Sequence, residues 1–535
     1  MGNKDLWDEY CSFYEKDFEQ QLEYNKQKLD EHLERWSRTK TAKKLCPEGY
    51  DGFDDIPLTT YEDYNFLYKY GKKIEKVVEA NPKPDGMSWK DYYEGIEKKH
   101  KHLIEDWIPG EYGCVVKTTG STGGSKWFVQ SERWLNNVGR SAIQAIILSG
   151  SEKTGETSIE RGDTVLNMGV PIPYIVGYGT FHLRKEFDLF PSFEVTDNMP
   201  NMKDKLYYIL KHLRNGQELN VAFAVAPTLY LFSKAVTEPA EVYQENLRSM
   251  SFGIKKILLS MLYLKERLTS NKTSTAKDEL STKGLTTGGQ DVILYSNYLE
   301  EQYGKTPLNL FGSTEMGLMM GSPENRTKLM PNMKAMFMEF IDKDGNFHQI
   351  SELEEGEVYK MIVTPFGSPL IRYDQKDLLR VAEIRDDGMP LFEFESREDN
   401  MLTISDYFII NEGIIFRTLK RAGWRRSSNW AVTKSIEEKQ GLRFIMEKDW
   451  EYDQKEAQKR IFKALKDENE FFEKYVDEFG ISDPSDVIEV EYLKKGAFKR
   501  YTMKKMDGDE PIGQYKAPKV ITPKEYDIIE TLRAV

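Results

Sequence analysis

Thr118-Thr-Gly-Ser-Thr-Gly-Gly-Ser-Lys126 is the stretch on which the reading of this chain turns. Its nine residues hold three glycines, five hydroxyls and one lysine. Glycine lets the backbone approach a ligand closely and adopt positive φ, so consecutive N–H groups can curl around phosphate oxygens. The hydroxyls add donors, and the lysine adds a mobile positive charge. Cys114, Val115 and Val116 before it read as a strand. After it, Ser131 suits a helix N-cap, Glu132 the first turn, and Trp134, Leu135, Val138 and Ala142 fall near helical spacing. By itself such a cluster reads first as a solvated turn. It lacks the G-x-x-x-x-G-K-[ST] spacing, because Lys126 follows a serine. If it holds phosphate, it is another kind of phosphate loop.

Composition narrows the class. The chain has 535 residues, enough for two or more domains, with 39% apolar and 30% charged residues. Its formal net charge of −13 argues against nucleic acid as the main partner. Cys11, Cys46 and Cys114 show no metal-type spacing and suggest a reducing compartment without a disulfide framework. No apolar run approaches the ~20 residues of a membrane span, and the polar N-terminus shows no secretory signal. The expectation is a soluble cytoplasmic protein with no membrane partner.

Residues 5–38 read as helical, with Tyr10, Phe13, Tyr14, Phe18, Leu22 and Leu29 on one face. Residues 56–64, Ile-Pro-Leu-Thr-Thr-Tyr-Glu-Asp-Tyr, read as a turn into a helix. Residues 165–168 and 221–225 read as buried strands with a helix over 202–214 between them, which predicts a parallel α/β sheet. Residues 169–181, rich in Gly, Pro and Tyr, read as a loop near that sheet, either lining a pocket or merely connecting. Residues 254–268 have helical character, and 269–290 read as an exposed polar loop. Strands are expected at 291–295, 307–311, 333–341, 357–364 and 378–381. Beyond these, strands at 443–447 and 487–493 with a long helix over 454–475 predict a small α+β domain with a basic end. A hinge is expected near residues 397–400.

Three polar segments stand in order. The Gly/hydroxyl/Lys loop comes first. A strand ending in Phe311-Gly-Ser-Thr-Glu315 comes next, and Arg372-Tyr-Asp-Gln-Lys-Asp377 follows. Each alone is common. Together they resemble the signatures of adenylate-forming enzymes, and within these the Gretchen Hagen family of acyl acid–amido synthetases, with phenylacetate–coenzyme A ligase as second choice. Residues 56–63 resemble that family's Pro-x-x-Thr-Tyr-Glu-Asp segment. Gly496-Ala-Phe and Gly513-Gln-Tyr-Lys-Ala-Pro-Lys519 resemble its closing pattern. The departures are Ser121 for Thr, Asp374 for Arg, Lys376 for Gly, and Lys519 for Arg.

The resemblance implies an α/β fold. A large N-terminal adenylate-forming domain of mixed sheets and helices would span residues 1–399, and a small α+β lid domain, mobile between half-reactions, residues 400–535. It implies ATP and Mg²⁺ as cofactors, with Thr118, Thr119, Ser121, Thr122 and Lys126 on the phosphates and Gly120 and Gly123 in the same cradle. Thr314, with Gly312 and Ser313 beside it, would meet the α-phosphate, and Glu315 would bind Mg²⁺. Asp377 would accept the ribose hydroxyls, and Arg397 would lie at the hinge side. Lys516 would arrive with the lid and, with Lys126 and Glu315, act in catalysis. Arg372 fits an ion pair within the fold as well as a nucleotide contact. The implied activity is ATP-dependent activation of a carboxylic acid as acyl-adenylate, then transfer to an amine, expected to be an amino acid. Coenzyme A as acceptor is the alternative, and a non-catalytic nucleotide-binding protein the second. Residues 167–182 and 222–230 are expected around the acid.

Overall fold

Cys114, Val115 and Val116 do lie on a strand, but the chain returns on itself before any helix begins. Strands Tyr112–Lys117 and Trp127–Ser131 pair antiparallel, with Lys117 opposite Trp127. The Gly/hydroxyl stretch therefore stands between two paired strands, where the sequence predicted a strand-to-helix turn; residues 119–125 lie outside the described residues. All five residues of the returning strand are buried, so it carries no period-2 signal. Helix Glu132–Ser149 follows, and Ser131 caps it by accepting the Trp134 N–H. Its far end is closed by Arg326, whose guanidinium donates to the carbonyls of Leu148, Ser149 and Ser151, and also to those of Thr306 and Leu285.

The computed structural model describes residues 2–118, 126–197, 199, 202–213, 215–237, 275–278, 280–289, 292–398, 400–404, 408–424, 429–435, 441–448, 451–505, 518–522 and 525–535. The predicted helical stretch 254–268 lies outside these residues.

Helix Glu132–Ser149 packs on a six-stranded sheet. Its order is Asp188–Phe190, Thr164–Leu166, Val221–Phe223, Gly284–Gly288, Leu308–Ser313 and Gly317–Met320. Only the last strand runs antiparallel. The expected parallel sheet is thus present, with helix Met202–Leu213 in its predicted place. Three expectations fail here. Gly284–Gly288, expected within a polar loop, is a central strand. Its Thr286 and Thr287 are fully buried because their hydroxyls donate to the carbonyls of Leu308 and Ala224. Residues 292–295, expected as strand, open helix Val292–Tyr303. Residues 175–181, expected as loop, lie in helix Ile175–Leu183, where Gly177 allows the helix to touch the backbone of Pro171.

A second sheet is wholly antiparallel, in the order Phe347–Gln349, Met336–Ile341, Val358–Pro365, Tyr373–Ile384 and Pro390–Arg397. Two helices, Gly2–Tyr10 and Phe18–Trp36, supply the expected N-terminal helical region. After Arg397 come the hairpin Met401–Ile404 with Phe408–Asn411 and helix Glu412–Arg421. A four-stranded sheet ends the chain: Ile488–Leu493, Gly441–Glu447, Trp430–Ser435 and Val520–Ile521. The long helix predicted over 454–475 breaks into Gln454–Glu468 and Glu470–Glu478, because the Asn469 side chain turns to accept the Phe472 N–H. No helix among the described residues is long and apolar enough to cross a membrane.

Candidate functional site

The Thr-Tyr-Glu-Asp segment is stitched to the strand that carries residues 371–377. Thr59 donates its N–H to Arg372 O at 2.9 Å and accepts the Asp374 N–H at 2.8 Å. Its hydroxyl donates to Ile371 O at 2.5 Å, and the Tyr64 hydroxyl accepts the Ile371 N–H at 3.0 Å. The same segment reaches the hairpin: Tyr61 donates its hydroxyl to Trp127 O at 3.1 Å and accepts the Trp127 N–H at 2.9 Å. Lys126 lies 5.0 Å over the Tyr61 ring. The ends of the loop are clamped, since Thr118 N–H donates to Lys126 O and Lys126 N–H to the Thr118 hydroxyl, at 2.9 and 2.8 Å. Thr119, Gly120, Ser121, Thr122 and Gly123 lie outside the described residues, as does Lys516.

The hairpin is braced from beneath. Gly71 of helix Asn65–Ala80 touches Trp127 so closely that a Cβ would sit 2.2 Å from it. Lys117 pairs with Glu75 at 3.0 Å. On strand Tyr112–Lys117, Tyr112 donates its hydroxyl to the buried Glu97 at 3.0 Å. Burial pushes the Glu97 carboxyl up to about 8.

Residues 312–315 occupy a hairpin tip. Strand Leu308–Ser313 turns through Thr314, Glu315 and Met316 into Gly317–Met320. A Cβ at Gly312 would meet Gly317 O at 2.8 Å, so only glycine allows this close pairing. The Ser313 hydroxyl donates to Gln375 Oε1 at 2.9 Å and accepts the Met316 N–H at 3.2 Å. The second and third polar segments are thereby one piece.

A bulge shapes the third. Leu378 faces Lys360 and Asp374 faces Ile362, so Gln375, Lys376 and Asp377 stand against Met361 alone. Lys376 takes a left-handed φ of 66°, a conformation that glycine adopts freely. The Asp374 carboxylate stabilises it by accepting the Lys376 N–H at 2.8 Å. On the other edge Asp377 faces Arg397, with Arg397 Nη1 3.5 Å from Asp377 Oδ1. Arg372 is settled differently. Buried, it forks onto both Glu339 oxygens at 3.1 and 2.8 Å and donates to the carbonyls of Asp54 and Ile56. It is a structural ion-pair partner.

The electrostatics confirm that these segments share one space. The Glu62 backbone N–H and the Thr60 hydroxyl hold the Glu62 carboxyl below its usual range, and Lys126 and Lys376 add to this. Burial raises the Tyr61 phenol to about 12, with Tyr68, Glu315 and Glu62 contributing. Burial also raises Tyr373, and Glu315 is the next cause. Glu62, Gln375 and Tyr373 are therefore site neighbours that sequence reasoning did not single out. Their signal was adjacency to motif positions.

The C-terminal ends of the parallel strands lie along the same edge as Thr314 and Glu315, the side on which open α/β sheets bind ligands. Residues 167–170 and 224–225 emerge there. Val225 on the second of these, and Val176 at the start of helix Ile175–Leu183, are exposed apolar side chains.

Residues 329–397, which include nearly the whole antiparallel sheet, match the central domain of the GH3 family. Over these residues alone the chain is matched to that family. This bears out the Gretchen Hagen resemblance seen in the sequence. A GH3.15 acyl acid amido synthetase in complex with 2,4-DB is similar in structure, with a TM-score of 0.65 at 16% identity, covering 96% of this chain and 93% of that one. A second GH3.15 acyl acid amido synthetase structure gives a TM-score of 0.62 at 16% identity, over 96% and 94% of the two chains. A 2-hydroxyisobutyryl-CoA ligase in the postadenylation state gives 0.54 at 12% identity, over 97% and 93%. The matched residues thus sit within an α/β fold shared by an amido synthetase and a CoA ligase. No curated protein matches the chain by sequence.

Proposed function

We propose that this protein is an ATP-dependent ligase that activates a carboxylic acid as acyl-adenylate and transfers the acyl group to an amine, with an amino acid as the favoured acceptor. One observation carries the reading. The Ser313–Gln375 bond and the bonds of Thr59 and Tyr61 tie together strand Trp127–Ser131, the Glu315 turn and the strand that carries the Asp377 bulge.

A carboxylate is a poor electrophile. Its attack on the α-phosphate of ATP expels pyrophosphate and gives a mixed anhydride open to an amine or thiol. Such in-line transfer needs positioning and charge stabilisation more than covalent catalysis. In this reading Thr118, Thr119, Ser121, Thr122 and Lys126 hold the phosphates, with Gly120 and Gly123 allowing close approach. Thr314 contacts the α-phosphate beside Gly312 and Ser313. Asp377 accepts the ribose hydroxyls, with Arg397 beside it. Lys516 offsets negative charge developing on the reacting phosphate. Glu315 would hold Mg²⁺, a hard ion that takes oxygen ligands and neutralises phosphate charge. Among the described residues no cluster of three or more metal-binding side chains forms, so ATP oxygens and water would complete its shell. The domain division at residue 399 and rotation of the C-terminal part as a lid belong to the same proposal. The free cysteines, Cys11, Cys46 and Cys114, suit a cytoplasmic setting.

Coenzyme A remains the second reading for the acceptor, supported by the Pro-Leu-Ile-Arg-Tyr run at 369–373 and the CoA-ligase likeness. The test is acid-dependent ATP–pyrophosphate exchange over a panel of carboxylic acids, followed by mass spectrometry with amino acids or coenzyme A present. Exchange and an amide product are expected. A thioester without any amide would replace the acceptor. No exchange with any acid would leave only nucleotide binding.

A further inference from the structure

Lys205 is a buried lysine for which the nucleotide chemistry has no use. It lies on helix Met202–Leu213, and only 4% of its surface is exposed. Among the described residues its one hydrogen-bond partner is Gly169 O, at 2.8 Å. An ammonium has three donors, so most of its capacity is unspent. Burial lowers its pKa to about 8, and Asp197 opposes that fall. Asp197 is itself engaged by the Trp89 N–H at 2.8 Å and forms no ion pair with the lysine.

Gly169 sits just past the end of strand Thr164–Leu166, on the ligand edge of the sheet. It is half-buried among buried neighbours. A Cβ there would lie 3.2 Å from Thr180 Oγ1, 3.4 Å from Asn167 Oδ1 and 3.5 Å from the exposed Val176. The Thr180 hydroxyl is buried and, among the described residues, has no hydrogen-bond partner. An unspent ammonium and an unspent hydroxyl thus flank Gly169, with the apolar Val176 beside it. Buried polar groups are normally satisfied, and two left open together call for a ligand that supplies acceptors.

We propose that Lys205 and Thr180 form a subsite for a second carboxylate on the acyl substrate, so that the acid activated is a dicarboxylic acid. The inference rests on the adenylation reading for the fate of the first carboxylate. The second is held by charge-assisted hydrogen bonds from Lys205 Nζ and a bond from Thr180 Oγ1. Val176 packs on the carbon chain between them.

The test compares hexanoate with adipate in ATP–pyrophosphate exchange, using the full chain. Wild type is expected to favour adipate in kcat/KM by about tenfold or more, the worth of one charge-assisted hydrogen bond. Lys205→Met should erase or invert that ratio, and Thr180→Val, nearly isosteric, should lower it severalfold. An equal or hexanoate-favouring ratio in wild type, or a ratio that neither substitution moves, would overturn the subsite. If wild type exchanges with no acid, adenylation fails first. Calorimetric binding of adipate to wild type and Lys205→Met then decides the subsite by itself: loss in the variant supports it, and equal or absent binding overturns it.

Discussion

The Ser313 hydroxyl and the Gln375 carboxamide, 62 residues apart, meet at 2.9 Å. The Gln375 amide nitrogen also lies 3.4 Å from Met316 Sδ, so one buried side chain touches both ends of the turn that carries Thr314 and Glu315. Gln375→Leu keeps the volume and removes the bonds. Pyrophosphate exchange should fall about ten- to a hundredfold, because a displaced carboxylate loses transition-state contacts. The apparent affinity for Mg²⁺ should fall with it, while the melting temperature moves by only a few degrees. Gln375→Glu, which keeps the acceptor oxygen, should recover part of the activity. A Leu variant with wild-type exchange would reduce the contact to packing.

Lys376 occupies a left-handed backbone position at φ 66°, which costs an L-residue about 1–2 kcal/mol. Glycine would relieve this and lose roughly 0.5–1 kcal/mol to chain entropy. Lys376→Gly is therefore expected to be neutral or to stabilise by up to about 1 kcal/mol in denaturant unfolding. Lys376→Val, β-branched, should destabilise by more than about 1 kcal/mol. Equal stability of the Gly and Val variants would show that the bulge relaxes.

Arg372 and Glu339 form a buried forked pair, and removing one partner strands the other. Arg372→Met should cost about 3–5 kcal/mol of unfolding free energy. Adding Glu339→Leu should return much of it. ATP affinity, measured below the melting transition, should change little in the double variant. A large loss of affinity with stability intact would make Arg372 a nucleotide ligand after all.

Why some of this was legible and some not has particular reasons. Strands Met336–Ile341 and Val358–Pro365 and the middle of Tyr373–Ile384 alternate or run apolar, so their periodicity showed, whereas Phe347–Gln349 and Pro390–Arg397 were not read as strands. Trp127–Ser131 is buried on both faces, which hides a five-residue strand behind a loop. Gly284–Gly288 reads as polar because its threonines satisfy their hydroxyls against neighbouring carbonyls, a pairing no local pattern records. Asp377, Glu315 and Lys126 could be named from motif order. Gln375 could not, since it occupies a position the motif leaves open and gains its importance only where two distant segments touch. Arg372 was open between two roles until Glu339 was found against it.

Glu97 adds a pH dependence. Its folded pKa of about 8 lies above the usual carboxyl value, so the folded protein keeps a proton that the unfolded chain releases. The stability this confers is complete below about pH 4.5 and is lost as pH rises toward 8. Glu97→Gln removes the titration. Relative to wild type the variant should gain about 2–4 kcal/mol between pH 5 and pH 8 in denaturant unfolding. A pH-independent difference would mean that the carboxylate is ionised in place.

The Thr59 strap sets a timetable for biogenesis. Its hydroxyl bonds to a carbonyl 312 residues further along the chain. At ordinary synthesis rates that distance takes roughly 15–60 s to emerge from a ribosome. Until then residues 56–64 have no strand to lie against, and Tyr61 and Tyr64 present aromatic surface to solvent and chaperones. A protein whose residues 56–64 must wait for Ile371 is one whose nascent chain, more than its finished fold, decides how well it is made.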